Sequence, residues 1–110
     1  MTIAIETTAS ASIVALEGQL SSANAIAIEK EVLAVVELGS RNLVFDFSGL
    51  QFISSAGLRM VLVVAKRLGA QGGQLVLCDM QPQVREVFDI SGLLPILKVE
   101  ATRADALGRF

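Results

Sequence analysis

The segment LVFDFSGLQFISSAGLRMVLVVAKRL, residues 43–68, decides the fold class of this chain. Its first five residues, Leu43–Phe47, are apolar apart from one acid, which is typical of an interior strand that helices cover. Residues 48–54 are predicted to form the connecting loop. The apolar residues of Ala56–Leu68 recur at helical spacing, so we expect an α-helix there. A strand, a loop and a helix in this order predict a unit of an α/β fold.

The alternation of strands and helices continues on both sides of this segment. We predict further strands at Ile3–Glu6, Ser12–Leu16, Gln74–Cys78 and Ile96–Val99, and helices that run from a cap at Ser21–Ser22 to Leu38, from Pro82 to the residue before Gly92, and from Thr102 to Leu107. Strands that alternate with helices through one chain indicate an α/β fold with right-handed crossovers.

Length and charge limit the possible functions. The chain has 110 residues, enough for one modest core, so we expect a single domain over residues 1–110. A net charge of −2 lacks the basic excess of a nucleic-acid binder, so we expect no direct nucleic-acid contact. No apolar run approaches the length of a membrane span, and the N-terminus lacks the features of a signal peptide. The sequence therefore predicts a cytoplasmic protein that does not bind membranes.

The chain contains no histidine and only one cysteine, Cys78. This excludes histidine-based acid–base catalysis, Ser-His-Asp triads, cysteine-based metal sites and an intrachain disulfide. Cys78 lies within a predicted strand and is interpreted as an inert core thiol. No paired-carboxylate cluster is evident either, so we expect no enzymatic activity, no cofactor and no metal.

Asp46 is the one acid within the predicted interior strand. A phospho-accepting aspartate would need a second acid and a metal nearby, and the sequence offers no obvious acidic partner. We instead expect the Asp46 carboxylate to accept hydrogen bonds from backbone N–H groups near Ser48 and Gly49. Asp46 and Ser48 are therefore predicted to support the following loop structurally.

The small residues Ser54-Ser55-Ala56-Gly57 stand at the start of the helix in the opening segment. A serine before a helix is most often an N-cap, worth on the order of 1 kcal/mol. The N-terminus of a helix also stabilises an anion, so a phosphate of roughly −1.5 to −2 charge on either serine would be tolerated there. Gly57 is predicted to let a partner come close. A plain cap and a phospho-acceptor both remain open on these residues alone.

The helix after these serines has a predicted core stripe and a predicted outer face. The core stripe consists of Leu58, Val61, Leu62, Ala65 and Leu68. Met60 and Val63 point away from it, alongside Arg59 and Arg67. Because exposed apolar patches mark interaction sites, Met60 and Val63 suggest a partner surface. The alternative is that another helix covers them.

Two segments, LVFDFSGLQFISSAGLRMVL and GGQLVLCDMQPQVREVFDISGLLPIL, resemble the STAS domain of bacterial anti-sigma-factor antagonists. The likeness covers nearly the whole chain, from Leu16 to the final helix. It implies the STAS fold, a single mixed β-sheet of four to five strands packed with about four helices.

The resemblance also implies a mechanism. In that family, the unphosphorylated antagonist binds an anti-sigma factor that is also a serine kinase, which releases the sigma factor. The kinase uses ATP to phosphorylate one serine at the helix start, and a metal-dependent, PP2C-type serine phosphatase removes the phosphate. The matching acceptor is Ser55, two residues before Gly57. Ser54, which stands where the family has an acid, is the alternative acceptor, and Ser21 replaces an aspartate of many sporulation and stress members.

The resemblance thus predicts a partner-binding surface, and the protein itself would need no cofactor because ATP is used by the kinase. The predicted partner-binding residues are Ser21, Ser54, Ser55, Ala56, Gly57, Arg59, Met60 and Val63. We expect a monomer when the protein is alone. The alternative function is a STAS domain that acts, without a serine switch, as a partner or scaffold in a lipid-transport or signalling assembly.

Overall fold

Five strands form one mixed sheet in the computed structural model, which describes residues 1–110. The strands are β1 (Thr2–Thr7), β2 (Ser12–Leu20), β3 (Asn42–Ile53), β4 (Gln74–Cys78) and β5 (Lys98–Glu100). Their order in the sheet is their order in the chain; β1 is antiparallel to β2, and the other neighbours are parallel. This architecture confirms the predicted α/β class and the single mixed sheet of the STAS fold.

Four helices pack on this sheet: α1 (Ala25–Glu37), α2 (Ser55–Ala70), α3 (Pro82–Ile90) and α4 (Arg103–Leu107). The parallel strands follow one another in chain order, so right-handed crossovers place α1, α2 and α3 on the same face of the sheet. The larger core lies between these helices and the sheet. A smaller core lies on the opposite face, where Ala106 of α4 packs near Val44 and Val76. None of the helices is long and apolar enough to cross a membrane.

The first residues of strand β3 form a nearly continuous apolar run, and both faces of the strand are buried there. Leu43, Phe45 and Phe47 belong to the larger core, whereas Val44 belongs to the smaller core on the other face. The side chains of a strand alternate between its two faces, so burial on both faces requires a continuous apolar run. The interpretation of this segment as an interior strand is confirmed.

The predicted loop at residues 48–54 is wrong, because β3 continues to Ile53. Strand β2 likewise runs to Leu20, beyond its predicted end, and pairs with this extension, Gly49 opposite Glu17 and Ile53 opposite Leu20. The register shifts between Gly18 and Gln19, where Gly18 adopts a φ of +105° that only glycine takes readily. The irregular pairing breaks the alternation by which a strand is recognised in a sequence.

Other element boundaries agree closely with the prediction. Strand β4 has the predicted bounds, α3 begins at Pro82, and Thr102 caps α4 through a hydrogen bond that its hydroxyl accepts from the Asp105 N–H (3.1 Å). The last strand lies at Lys98–Glu100 and not at the predicted Ile96–Val99, because Leu94–Ile96 forms a 3-10 turn around a proline.

The start of α1 differs from the prediction. Ser21–Ser22 do not cap this helix, which begins at Ala25. The Asn24 side chain instead fixes the approach to the helix: its Oδ1 accepts a hydrogen bond from the Ser21 N–H (2.9 Å), and its Nδ2 donates to the Gln19 carbonyl (2.9 Å). Ser21 therefore lies in a fixed turn between β2 and α1.

Candidate functional site

The two serines at the start of α2 have different structural roles. Ser54 is the N-cap: it has extended backbone angles, and its Oγ accepts a hydrogen bond from the Gly57 N–H (3.1 Å). The Ser54 N–H donates to the Leu20 carbonyl (2.9 Å), which joins the cap to the end of β2. The Ser54 hydroxyl is therefore already engaged in holding the helix start.

Ser55 is the first residue of α2 and is exposed, and its hydroxyl has no hydrogen-bond partner within the chain. The first turn of α2 contains no acidic residue, so no side chain of that turn compensates the partial positive charge of the helix N-terminus. The sequence motif thus separates into a structural cap at Ser54 and an accessible hydroxyl at Ser55.

Gly57 faces the interior of the molecule, so the expectation that it lets a partner come close is wrong. A Cβ at this position would lie 2.7 Å from Cγ1 of Ile53 and 2.9 Å from Cδ2 of Leu20. Both neighbours are buried at the ends of β3 and β2. The absence of a side chain at Gly57 allows α2 to pack closely on the strand ends that support Ser54.

Met60 is only 1% exposed and belongs to the larger core, so its prediction as a surface residue is wrong. The residues of α2 that are buried are Gly57, Leu58, Met60, Val61, Val64 and Leu68. Leu62 and Ala65, expected in the core stripe, are only half-buried. Residues 60–65 are all apolar, so periodicity alone could not show which side of this helix faces the sheet.

A groove of about 390 Å³ lies between α1 and α2, beside Ser55. The residues that line it are Ala25, Ile26 and Glu29 of α1 and Ala56, Arg59 and Val63 of α2. The structure thus brings together three residues that the sequence assigned to the partner surface. Ile26, which sequence reasoning missed, is 69% exposed. Its position off the buried stripe of α1 is the signal that could have identified it.

The ends of β2 and β3 complete the surface around Ser55. Ser21 is half-buried directly after Leu20, whose carbonyl binds the Ser54 N–H. The exposed and half-buried residues of this region are Ser21, Ser54, Ser55, Ala56, Arg59 and Val63. We call them, together with the α1 wall of the groove, the α2 surface.

Asp46 supports β3 from the other face of the sheet. It is 5% exposed, and its carboxylate accepts hydrogen bonds from the Ser48 N–H (2.9 Å) and from Nε and Nη2 of Arg103 (3.0 and 2.6 Å). Burial by itself would raise the pKa of Asp46, but the Ser48 N–H and the Arg103 guanidinium together hold that pKa below its ordinary value. The predicted role of Ser48 is confirmed through its N–H, whereas Arg103 was missed, because 57 residues separate it from Asp46.

Asp46, Cys78 and Asp79 bring three potential metal ligands within 4.8 Å of one another. Burial, with the negative charges of Asp46 and Asp79, raises the pKa of the Cys78 thiol to about 12, so it stays protonated at neutral pH. Asp46 is already bound to Arg103. Metal sites in proteins use thiolates and free carboxylates, so this donor set does not fit a metal ion.

Comparison with known proteins agrees with the resemblance found in the sequence. The model of the family described as the STAS domain matches residues 2–106. BtrV of Bordetella bronchiseptica, provisionally named an anti-sigma factor antagonist, is 50% identical over 98 residues, which are 89% of this chain and 84% of BtrV.

Solved structures of an anti-sigma factor antagonist, SpoIIAA, have the same fold. Its unphosphorylated form is 27% identical with a TM-score of 0.84, over 98% of this chain and 95% of that chain. Its phosphorylated form, described as a cell fate determinant of Bacillus, is 27% identical with a TM-score of 0.75, over 98% of both chains. The fold and the predicted family resemblance are thereby confirmed.

Proposed function

Because the chain belongs to the STAS domain family, we propose that it is an anti-sigma-factor antagonist whose activity is switched off by phosphorylation of Ser55. It binds an anti-sigma factor that is also a serine kinase, and this binding releases a sigma factor. The kinase transfers a phosphoryl group from ATP to Ser55, and a PP2C-type serine phosphatase removes it. The protein itself is a binding protein without a cofactor. It acts in the cytoplasm, as a monomer when it is not bound to a partner.

The observation that carries this proposal is that the hydroxyls of the two serines have different structural roles. The Ser54 hydroxyl is bound to the Gly57 N–H, whereas the Ser55 hydroxyl is exposed and has no partner. A kinase can therefore modify Ser55 without removing the cap of α2. The names of the relatives support the partner class, and the existence of a phosphorylated form of SpoIIAA supports the modification.

The physical basis of the switch is the charge that the phosphate adds to the α2 surface. A phosphoserine carries roughly −1.5 to −2 charge, which must be paired or hydrated. A partner that covers Ser55 in the complex would have to remove water from this charge, and the complex would weaken by several kcal/mol, on the order of the cost of burying an unpaired ion. The helix N-terminus accommodates a negative charge, so the fold itself is retained.

Phosphorylation mapping tests the proposal. The full chain is incubated with ATP and a candidate kinase, and intact mass and fragment spectra locate the phosphate. We expect one phosphate on the wild type and on Ser54→Ala, and none on Ser55→Ala. Equal phosphorylation of Ser55→Ala would contradict the assignment of the acceptor.

Affinity for the same kinase tests the switch. We expect Ser55→Asp to lose binding and Ser55→Ala to keep it, because only the aspartate adds a negative charge to the α2 surface. Unchanged affinity of the phosphorylated protein would contradict the switch. It would favour the alternative, a STAS domain that works as a partner or scaffold without a serine switch.

A further inference from the structure

Arg59 is a cation without an ionic partner on the α2 surface. It is exposed, it lines the groove, and it takes part in no ion pair and no side-chain hydrogen bond of the structure. The ion pairs of the chain are Arg67–Glu37, Arg103–Glu6, Arg103–Asp46 and Arg109–Glu100. Glu29 lines the same groove on the α1 side but does not reach ion-pair distance of Arg59. The guanidinium of Arg59 is therefore available.

The helix places Arg59 next to Ser55. The two residues are four positions apart in α2, so they lie on the same face of the helix with their Cβ atoms roughly 5–6 Å apart. An anionic residue that precedes a cationic one by four positions has the favourable orientation for an ion pair in a helix. The planar guanidinium also matches a phosphate, because two N–H groups can donate to two oxygens.

We propose that Arg59 binds the phosphate of phosphorylated Ser55 within the same helix, and that this contact withdraws Arg59 from the groove. The inference rests on the proposed function, since it concerns the phosphorylated state of the same site. It makes Arg59 a second component of the switch: its guanidinium belongs to the partner-binding groove in one state and to the phosphate in the other.

The contact changes the charge that a partner meets. In the unphosphorylated protein, the charges of Glu29 and Arg59, which lie on opposite walls of the groove, sum to zero. After phosphorylation, the phosphate, Arg59 and Glu29 sum to about −2, and the remaining cation is bound to the phosphate. A partner with an acidic group opposite Arg59 therefore loses an attractive contact and meets a repulsive one. The phosphate thus acts on the groove as well as on its own position.

The second ionisation of the phosphate measures this contact directly. Phosphoserine is placed at position 55 of the full chain during its synthesis, and the pH dependence of the phosphorus-31 NMR shift is recorded. A cation beside the phosphate favours the dianion and lowers its second pKa. We expect this pKa to be about 0.2–0.4 pH unit lower in the wild type than in Arg59→Ala, the shift that corresponds to an ion pair on a helix surface. Arg59→Lys keeps the charge but loses the planar guanidinium that can donate two N–H groups to two phosphate oxygens. Its phosphate pKa should therefore lie between the values of the wild type and Arg59→Ala.

Arg67→Ala is the matched control, because it removes the same charge from the same helix three turns away from Ser55. It should leave the phosphate pKa unchanged. Equal pKa values in the wild type and Arg59→Ala would overturn the inference, and so would an equal rise in Arg67→Ala. The titration needs no kinase, so its outcome does not depend on whether a kinase modifies Ser55. If no kinase modifies Ser55, the proposed function fails; if only the titration fails, the role of Arg59 alone is lost.

Discussion

Replacing Gly57 by alanine should destabilise the protein, although alanine is the better helix former. Within a helix, alanine is favoured over glycine by about 1 kcal/mol. At Gly57, however, the new Cβ would lie 2.7 Å from Ile53 Cγ1 and 2.9 Å from Leu20 Cδ2. Both side chains are almost fully buried in the larger core, so neither can move into solvent. Forcing a methyl group into a packed core costs about 1–3 kcal/mol.

The two effects have opposite signs, and the structure decides between them. Real Cβ atoms essentially never lie within 3.0 Å of such atoms, so either the buried side chains of Ile53 and Leu20 or α2 itself must shift. We therefore expect the packing cost to exceed the propensity gain, with a net loss of up to about 2 kcal/mol in the free energy of unfolding. Urea denaturation followed by circular dichroism would report this loss as a lower midpoint at an unchanged slope.

Gly69 in the same helix supplies the matched control. A Cβ at Gly69 meets no atom within 4 Å, so Gly69→Ala should show the propensity effect alone and stabilise the protein by about 0.5–1 kcal/mol. If Gly57→Ala proves as stable as Gly69→Ala, the close packing of α2 on the strand ends is not a constraint. The assignment of Gly57 to internal packing would then be wrong.

Four further substitutions test other parts of the structure by the same urea measurement. Ser54→Ala should lower the free energy of unfolding by about 1 kcal/mol because it removes the cap of α2, whereas Ser55→Ala should change it by less than about 0.5 kcal/mol. Equal losses would refute the assignment of Ser54 as the cap. Met60→Ala should lower the free energy of unfolding by about 2–4 kcal/mol, as expected for a core residue. A decrease below about 0.5 kcal/mol would instead indicate that Met60 lies on the surface. Arg103→Ala should cost about 2 kcal/mol at neutral pH, because it leaves the buried Asp46 carboxylate without its cation. The pKa of Asp46 is lower in the folded state than in the unfolded state. The stability that the Arg103–Asp46 ion pair contributes is therefore complete above the unfolded pKa, near 3.9, and disappears as the pH falls through the folded pKa. A difference in stability between wild type and variant that persists in strong acid would contradict this explanation.

Features that depend on local pattern could be predicted from the sequence. Strand β4 is a short apolar run between turn residues, and its predicted bounds are the observed ones. Pro82 and Thr102 mark the starts of two helices through their own backbone and side-chain chemistry. The apolar pattern indicated the helix start at Ser54–Ser55, the resemblance indicated Ser55 as the acceptor, and the cap geometry then distinguished the two serines.

Features that depend on distant parts of the chain could not be predicted. In the extension of β3, the buried residues Leu50 and Ile53 are three positions apart, so the period of two that indicates a strand is lost. The orientation of α2 was missed because an unbroken apolar run has no preferred face. Arg103 gives no local sign of its contact with Asp46, since only the folded sheet brings α4 beside β3.

The extension of β3 gives a reason why the switch that we propose would act through charge and not through a change of shape. Beyond Asp46, β3 has no pairing with β4, so one edge of the extension is left open. Two side chains near the start of α3 fill this edge: Gln81 Nε2 donates to the Ser48 carbonyl (2.7 Å), and Gln83 Nε2 donates to the Gln51 carbonyl (3.3 Å).

The start of α2 is therefore held from three directions. The Ser54 N–H is bound to the end of β2, Gly57 is packed against the larger core, and the strand that leads into the helix is tied to α3. We expect a backbone with this many constraints to keep its conformation if Ser55 is phosphorylated. What the phosphate can change is the electric charge of the α2 surface and the position of a flexible side chain on it. Arg59, exposed and without an ionic partner, is the side chain placed to respond.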